Sequence, residues 1–200
     1  MTTTIKKLIA GSLALAAVAI IPATTFAATE TEETIVNALI GSSISISSAT
    51  GVVNVNVTPV VGGSQSSASD TVTVATNNST GYTLTLADND ADTNLNSGGN
   101  TIAAHAGVHA APTALANNTW GYAIPGGNFD VSYSALNNVT SSGSLWAGVP
   151  VSSAPVTLKT TATTTGGDAT TVWYSVKADT TKPNGTYTDT VVYTATTNAP

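Results

Sequence analysis

Cysteine and arginine are both absent from the 200-residue chain, and only 8% of its residues are charged. Ordinary globular proteins carry about 25%. Without cysteine there is no thiol nucleophile, no disulfide and no cysteine-ligated metal or cluster. An exported chain of this kind is held together by core packing and strand pairing alone. Without arginine, and with five lysines in all, the chain is poorly equipped to neutralise a phosphate backbone, which argues against nucleic acid as a partner. The same shortage disfavours attraction to anionic lipid. Long apolar runs are missing too, with one exception at the N-terminus. Thr, Ser, Asn, Ala, Gly and Val fill the composition, so the exposed polar surface is hydroxyl and amide rather than charge.

The exception is Leu8 to Ile21, which follows Lys6-Lys7 and is broken by Pro22. A cationic start, an apolar core of about 7–15 residues and a small-residue cleavage site are the order of a secretory signal peptide. Thr25-Phe26-Ala27 is the best cleavage match, giving a signal peptide over 1–27 and a mature chain over 28–200. The run is shorter than the roughly 20 residues that a spanning helix needs, so no membrane insertion is expected after cleavage. The mature chain has three lysines against eleven acidic residues, a net charge of −8. The terminal TTNAP carries no LPxTG-like signal, so covalent sorting to a wall is not expected. The chain is read as secreted, extracellular and cell-surface associated.

Residues 28–43 read as an acidic leader, holding all three glutamates, followed by the short apolar group Ile35, Val36, Leu39 and Ile40, which suits one helical turn or a first strand. From Ile44 the apolar period is two rather than 3.6. Ile44 and Ile46 alternate with Ser; Val53, Val55 and Val57 with Asn; Val72 and Val74 with Thr; Tyr82, Leu84 and Leu86 with Thr. Trp120, Tyr122 and Ile124 repeat the pattern, then Phe129, Val131 and Tyr133, then Val172, Tyr174 and Val176, and finally Tyr187, Val191 and Tyr193. Such alternation puts apolar groups on one pleat face, as in half-buried antiparallel strands. Leu145 to Val151 and the stretch from Val156 are further strand candidates, and Gly166-Gly167-Asp168 and Pro183-Asn184-Gly185 read as turns. Residues 88–118 read as a long loop with a short helix at most. The spacing predicts one all-β domain over 44–200, an antiparallel β-sandwich that is Ig-like or jelly-roll-like.

Two stretches echo each other. DTVTVATNNSTGYTLTL over 70–86 and TVWYSVKADTTKPNGTYTDTVVYT over 171–194 share a Val-Thr strand, a polar turn and a Tyr-Thr strand. They read as two hairpins of one sandwich, since neither hairpin could bury its apolar face alone.

Candidate chemistry is sparse. Asp88, Asp90, Asp92 and Asn94 place oxygens at alternate positions in a tight loop, which suits the six to eight hard oxygen ligands of Ca²⁺. Thr93 replaces the glycine of an EF-hand's sixth position and Gly99 its terminal glutamate, so the loop is either a different Ca²⁺ geometry or a solvated Asx-rich turn. His105 and His109 have the i, i+4 spacing of helical zinc pairs, but Gly107 lies between them and no glutamate does; two polar residues of a small-residue loop fit equally. No G-x-S-x-G elbow is present and no enzymatic activity is expected. Tyr82, Trp120 and Trp173 are the aromatics that would form a carbohydrate platform if exposed and core if buried; parity puts Trp173 on the face opposite Val172 and Tyr174. A Lys–Asn isopeptide crosslink needs a buried lysine, and Lys159 and Lys177 fall on polar faces.

Gly81-Tyr82-Thr83-Leu84 after a Val-rich strand, and Tyr187 to Tyr193 before Ala199-Pro200, resemble the WxL-type and related cell-surface β-proteins of Gram-positive-like bacteria, with Tyr where that family has Trp. The last strand, GTYTDTVVYTAT, also resembles secreted pilin-like and spore-coat-U-like domains. The resemblance implies non-enzymatic work at the cell surface. The expected function is a structural or adhesive protein attached non-covalently to cell-wall polymer, glycan or other surface proteins. The alternatives are a carbohydrate- or Ca²⁺-binding module and a pilin-like, self-assembling homo-oligomer. No cofactor is expected beyond Ca²⁺.

Overall fold

The computed structural model describes residues 29–129 and 144–199. The signal segment 1–27 therefore lies outside the described residues, as do Val131 and Tyr133. Two units are distinguished, one ending at Leu39 and the other running from Ile40. In the first, residues 29–39 are coil and exposed throughout. The apolar group at 35–40 forms neither the helical turn nor the strand its composition allows.

The second unit is all-β, with no helix among the described residues. Its strands are β1 (Ile44–Ser48), β2 (Ser64–Thr76), β3 (Tyr82–Asp88), β4 (Leu95–Ser97), β5 (Asn100–Ala104), β6 (Thr113–Ala114), β7 (Thr119–Ala123), β8 (Leu145–Trp146), β9 (Val156–Thr160), β10 (Thr165–Ala178) and β11 (Val191–Thr197). They form a six-stranded sheet in the order β1-β2-β10-β7-β5-β4, a three-stranded sheet β11-β3-β9 and a two-stranded sheet β6-β8. All pairings are antiparallel except β5 with β7.

The alternation read from the sequence is realised where a strand has one dry face. In β3, Tyr82, Leu84 and Leu86 are buried while Thr83 and Thr85 are half-buried; in β2, Val72 and Val74 are buried while Thr71, Thr73 and Ala75 are half-buried. These residues join Leu158 of β9, Trp120 and Tyr122 of β7, Val172 and Tyr174 of β10 and Trp146 of β8 in one continuous apolar cluster. Polar tips of tyrosines span the two larger sheets: the buried Tyr82 donates to Asp168 Oδ2 at 2.8 Å, and the hydroxyls of the buried Tyr174 and the half-buried Tyr193 meet at 2.5 Å. A buried hydroxyl needs such a partner to offset its lost water.

Three expectations are corrected. The two echoing stretches are not hairpins. Their Val-rich strands, β2 and β10, pair with each other across the whole length from Ser64 to Thr76, and their Tyr-rich strands, β3 and β11, pair with each other in the other sheet. Each repeat thus crosses between sheets, because pairing like with like lets both Val strands and both Tyr strands bury one common face. The segment 88–118 is not a long loop: it contains β4, β5 and β6. Its strands are short and small-residued, which is why no period of two stands out. Gly166-Gly167-Asp168 does not turn the chain but forms a bulge in β10, where the pairing with β2 shifts between Thr165 and Asp168; glycine in a strand interior commonly marks such a bulge. Alternate burial at Val53, Val55 and Val57 is present, but those residues pair in no strand.

The centre of the six-stranded sheet departs from alternation altogether. Trp120, Gly121, Tyr122 and Ala123 of β7 are all buried, as are Val172, Trp173, Tyr174 and Ser175 of β10. The segment after β8 lies beside β7, where Ala147 forms an antiparallel bridge with Tyr122 through backbone hydrogen bonds of 2.7 and 2.9 Å.

Candidate functional site

The acidic loop leaves β3 at Asp88 and enters β4 at Leu95. Its alternate carboxylates each cap the backbone two residues on: Asp88 Oδ1 accepts from the N–H of Asp90 at 2.8 Å, Asp90 Oδ1 from Asp92 at 2.7 Å, and Asp92 Oδ1 from Asn94 at 3.2 Å. This succession of Asx turns accounts for the D-x-D-x-D-x-N spacing. Asp92 Oδ2 also accepts from Asn96 Nδ2 at 3.1 Å, and these bonds hold its carboxyl below the usual range. Asp90 and Asp92 are exposed, whereas Asp88 is only 1% exposed. Among the described residues no three His, Asp or Glu side chains converge on one metal position.

The fold instead brings Asp189 to Asp88. Val191 of β11 lies opposite Asp88 in register, and Asn89 N–H donates to Thr190 O at 2.9 Å, so Asp189, two residues before the strand, reaches the end of β3. Its carboxyl is pushed up to about 7, by burial first, then by hydrogen bonding to Asp88 and by the charges of Asp88 and Asp90. Sequence reasoning missed Asp189. The Asp-Thr-Val echo of 70–72 and 189–191 touches it, but nothing local connects it to a residue a hundred positions earlier.

The three aromatics proposed as a glycan platform are core residues. Tyr82, Trp120 and Trp173 are 0%, 4% and 3% exposed. Trp120 Nε1 donates to Thr93 O at 2.8 Å and its ring stacks on Tyr174. None presents a face to a sugar in solution. Trp173 is buried despite its polar flanks because β10 is covered on both sides.

His105 directly follows β5 and His109 lies in the turn beyond it, neither on a helix, so the i, i+4 spacing does not align them as a zinc pair. Nε2 of His105 meets Thr113 Oγ1 at 2.8 Å, and Nδ1 of His109 meets the Tyr122 hydroxyl at 2.9 Å. His109 also stacks on Tyr122 and meets Phe129 edge-on. Burial lowers both imidazoles below their ordinary value, leaving them neutral at pH 7. Together with Val149 and Val156 they line an open cleft of about 540 Å³ whose walls are mostly Ala, Gly and Val. Lys159 does not meet the need of an isopeptide for a buried lysine: its side chain is 35% exposed, and it pairs with Asp168 at 2.5 Å.

The second unusual surface is the leader. Ile35, Val36, Leu39 and Ile40 are 85%, 86%, 99% and 82% exposed. Scattered apolar residues on a surface need no explanation, but four within six positions form a patch of the kind that marks an interaction site.

No family model, no curated protein and no solved structure matches the chain. The fold class, all-β with several antiparallel sheets, rests on the strands themselves.

Proposed function

We propose that this chain is a non-enzymatic, exported β-sandwich that works at the cell surface as a structural or adhesive subunit, joined to further copies of itself by the segment 35–40. The exposure of Ile35, Val36, Leu39 and Ile40 carries this reading. Six extended residues span about 20 Å at roughly 3.3 Å each, the length of a sheet strand such as β11. A strand added to the edge of a neighbour's sheet would gain backbone hydrogen bonds as well as apolar burial. Burying the four side chains offers about 1.5–3 kcal/mol each. Ordering six residues costs about 1–2 kcal/mol each in backbone entropy. The two terms nearly cancel, so the ladder hydrogen bonds decide whether the contact holds. The cation-poor, hydroxyl-rich surface and the cysteine-free core agree with an extracellular subunit stabilised by pairing rather than by crosslinks.

The test is sedimentation velocity on the mature chain 28–200 over a hundredfold concentration range, against a variant carrying Ile35→Ser, Val36→Ser, Leu39→Ser and Ile40→Ser. The wild type is expected to form concentration-dependent oligomers and the variant to stay monomeric with an unchanged near-UV CD spectrum. A wild type that is monomeric throughout overturns the reading. Retention of the mature chain on purified cell walls tests the surface role separately.

A further inference from the structure

Among the described residues, the buried and half-buried carboxylates are treated unequally by their surroundings. Asp70, 5% exposed, receives hydrogen bonds from the Ser48 hydroxyl, from the backbone and hydroxyl of Thr50 and from the Thr71 N–H. Asp168 is paired with Lys159 and the Tyr82 hydroxyl. At the end of β3 the pattern breaks. Asp88 uses Oδ1 on the Asp90 N–H and Asp189 uses Oδ1 on the Thr190 N–H at 2.7 Å. The other oxygen of each, Asp88 Oδ2 and Asp189 Oδ2, is buried and accepts no hydrogen bond from a donor on another residue, while the pairing of β3 with β11 brings the two carboxyl groups together.

Two neighbouring buried carboxylate oxygens with no donor from another residue are a costly arrangement when both groups are ionised, because a buried charge must be paired. Among the described residues no lysine forms an ion pair with either carboxylate: the ion pair there is Lys159 with Asp168, and Lys182 donates to the Thr101 carbonyl. We propose that Asp88 and Asp189 together hold a divalent cation of the calcium class between their unpartnered oxygens. The donors are hard oxygens with no imidazole or thiolate, which selects Ca²⁺ over the transition metals. Two carboxylates leave most of the coordination shell to water and backbone carbonyls, so the affinity belongs to the weak, extracellular range of about 10⁻⁴–10⁻³ M. The exposed Asp90 adds negative potential beside the pair. A bound ion would tie the end of β3 to the start of β11, the antiparallel pair at one edge of the three-stranded sheet.

The experiment uses the mature chain 28–200 stripped with chelator, then titrated with Ca²⁺ to 10 mM, reading Tm and the calorimetric stoichiometry. One ion per chain and a rise in Tm of about 3–10 °C are expected from mass action at that affinity. Asp189→Asn is the decisive variant: its amide can donate to Asp88 Oδ2, so it should fold in chelator with a Tm at least equal to that of the wild type and lose the Ca²⁺ response. Asp179→Asn, the same charge change in a distant turn, should keep it. A wild-type Tm unmoved at 10 mM Ca²⁺ overturns the proposal in favour of a proton shared by the pair. A full response in Asp189→Asn overturns it by placing the ion elsewhere.

Discussion

Replacing Gly81 by alanine should be among the most damaging single-methyl changes in this protein. Gly81 sits at φ +77°, and a Cβ there would lie 2.4 Å from the Thr161 carbonyl oxygen and 2.6 Å from its hydroxyl. The left-handed backbone alone costs a non-glycine residue about 1–2 kcal/mol. Thr161 cannot simply recede. Its N–H donates to Tyr82 O at 2.9 Å, its hydroxyl accepts from Tyr82 N–H at 3.1 Å, and its carbonyl accepts from Asn198 Nδ2 at 2.7 Å. Moving it far enough to relieve the contact loosens about two of these bonds, each worth roughly 0.5–1.5 kcal/mol. The total is about 2–5 kcal/mol, or a fall in Tm of about 4–20 °C for a domain of this size. Gly98→Ala is the internal control: φ is +53° but no atom lies within 4 Å of the added methyl. It should show the backbone cost alone, about 1–2 kcal/mol. Urea denaturation of both variants with a common m-value gives the comparison. If Gly81→Ala loses no more stability than Gly98→Ala, the close approach of β3 to the segment after β9 is not as drawn.

Two further outcomes are expected. Asn198→Ala removes side-chain bonds to Thr80 O, Thr161 O and the Thr83 hydroxyl and should cost about 2–4 kcal/mol by urea denaturation; a loss under 0.5 kcal/mol would mean the C-terminal strand is not clasped there. His105 and His109 have lowered pKa values in the fold, so the unfolded chain binds their protons first; their contribution is intact above about pH 6.5 and is lost as pH falls below it. Melting curves from pH 7.5 to 5 should therefore fall more steeply for the wild type than for His109→Gln, which removes one of the two titrations; equal slopes would contradict the burial of His109 against Tyr122.

How much of this was legible in the residues depends on range. The period of two in 72–74, 82–86 and 191–193 announced strands, because a strand with one dry face writes its geometry locally. The same logic failed for β7 and β10, where both faces are covered and Trp173 is buried among polar neighbours. It failed again for β4 to β6, whose strands are too short to show a period. The aromatics were legible as either core or platform, and only packing could choose. The acidic loop was visible, and its alternate spacing proved to be a ladder of Asx turns.

The amino-acid sequence by itself determined the class of structure and the surface chemistry: alternating apolar residues dictate strands, and a chain with no cysteine or arginine and few charges has a hydroxyl- and amide-rich exterior whatever its topology. Tertiary structure decided which strands meet. It paired β2 with β10 and β3 with β11 instead of closing two local hairpins, and that choice brought Asp189 against Asp88. Strand pairing across a hundred residues is set by which faces can be buried together, a property of the whole domain, so no local pattern could have placed those two carboxylates side by side.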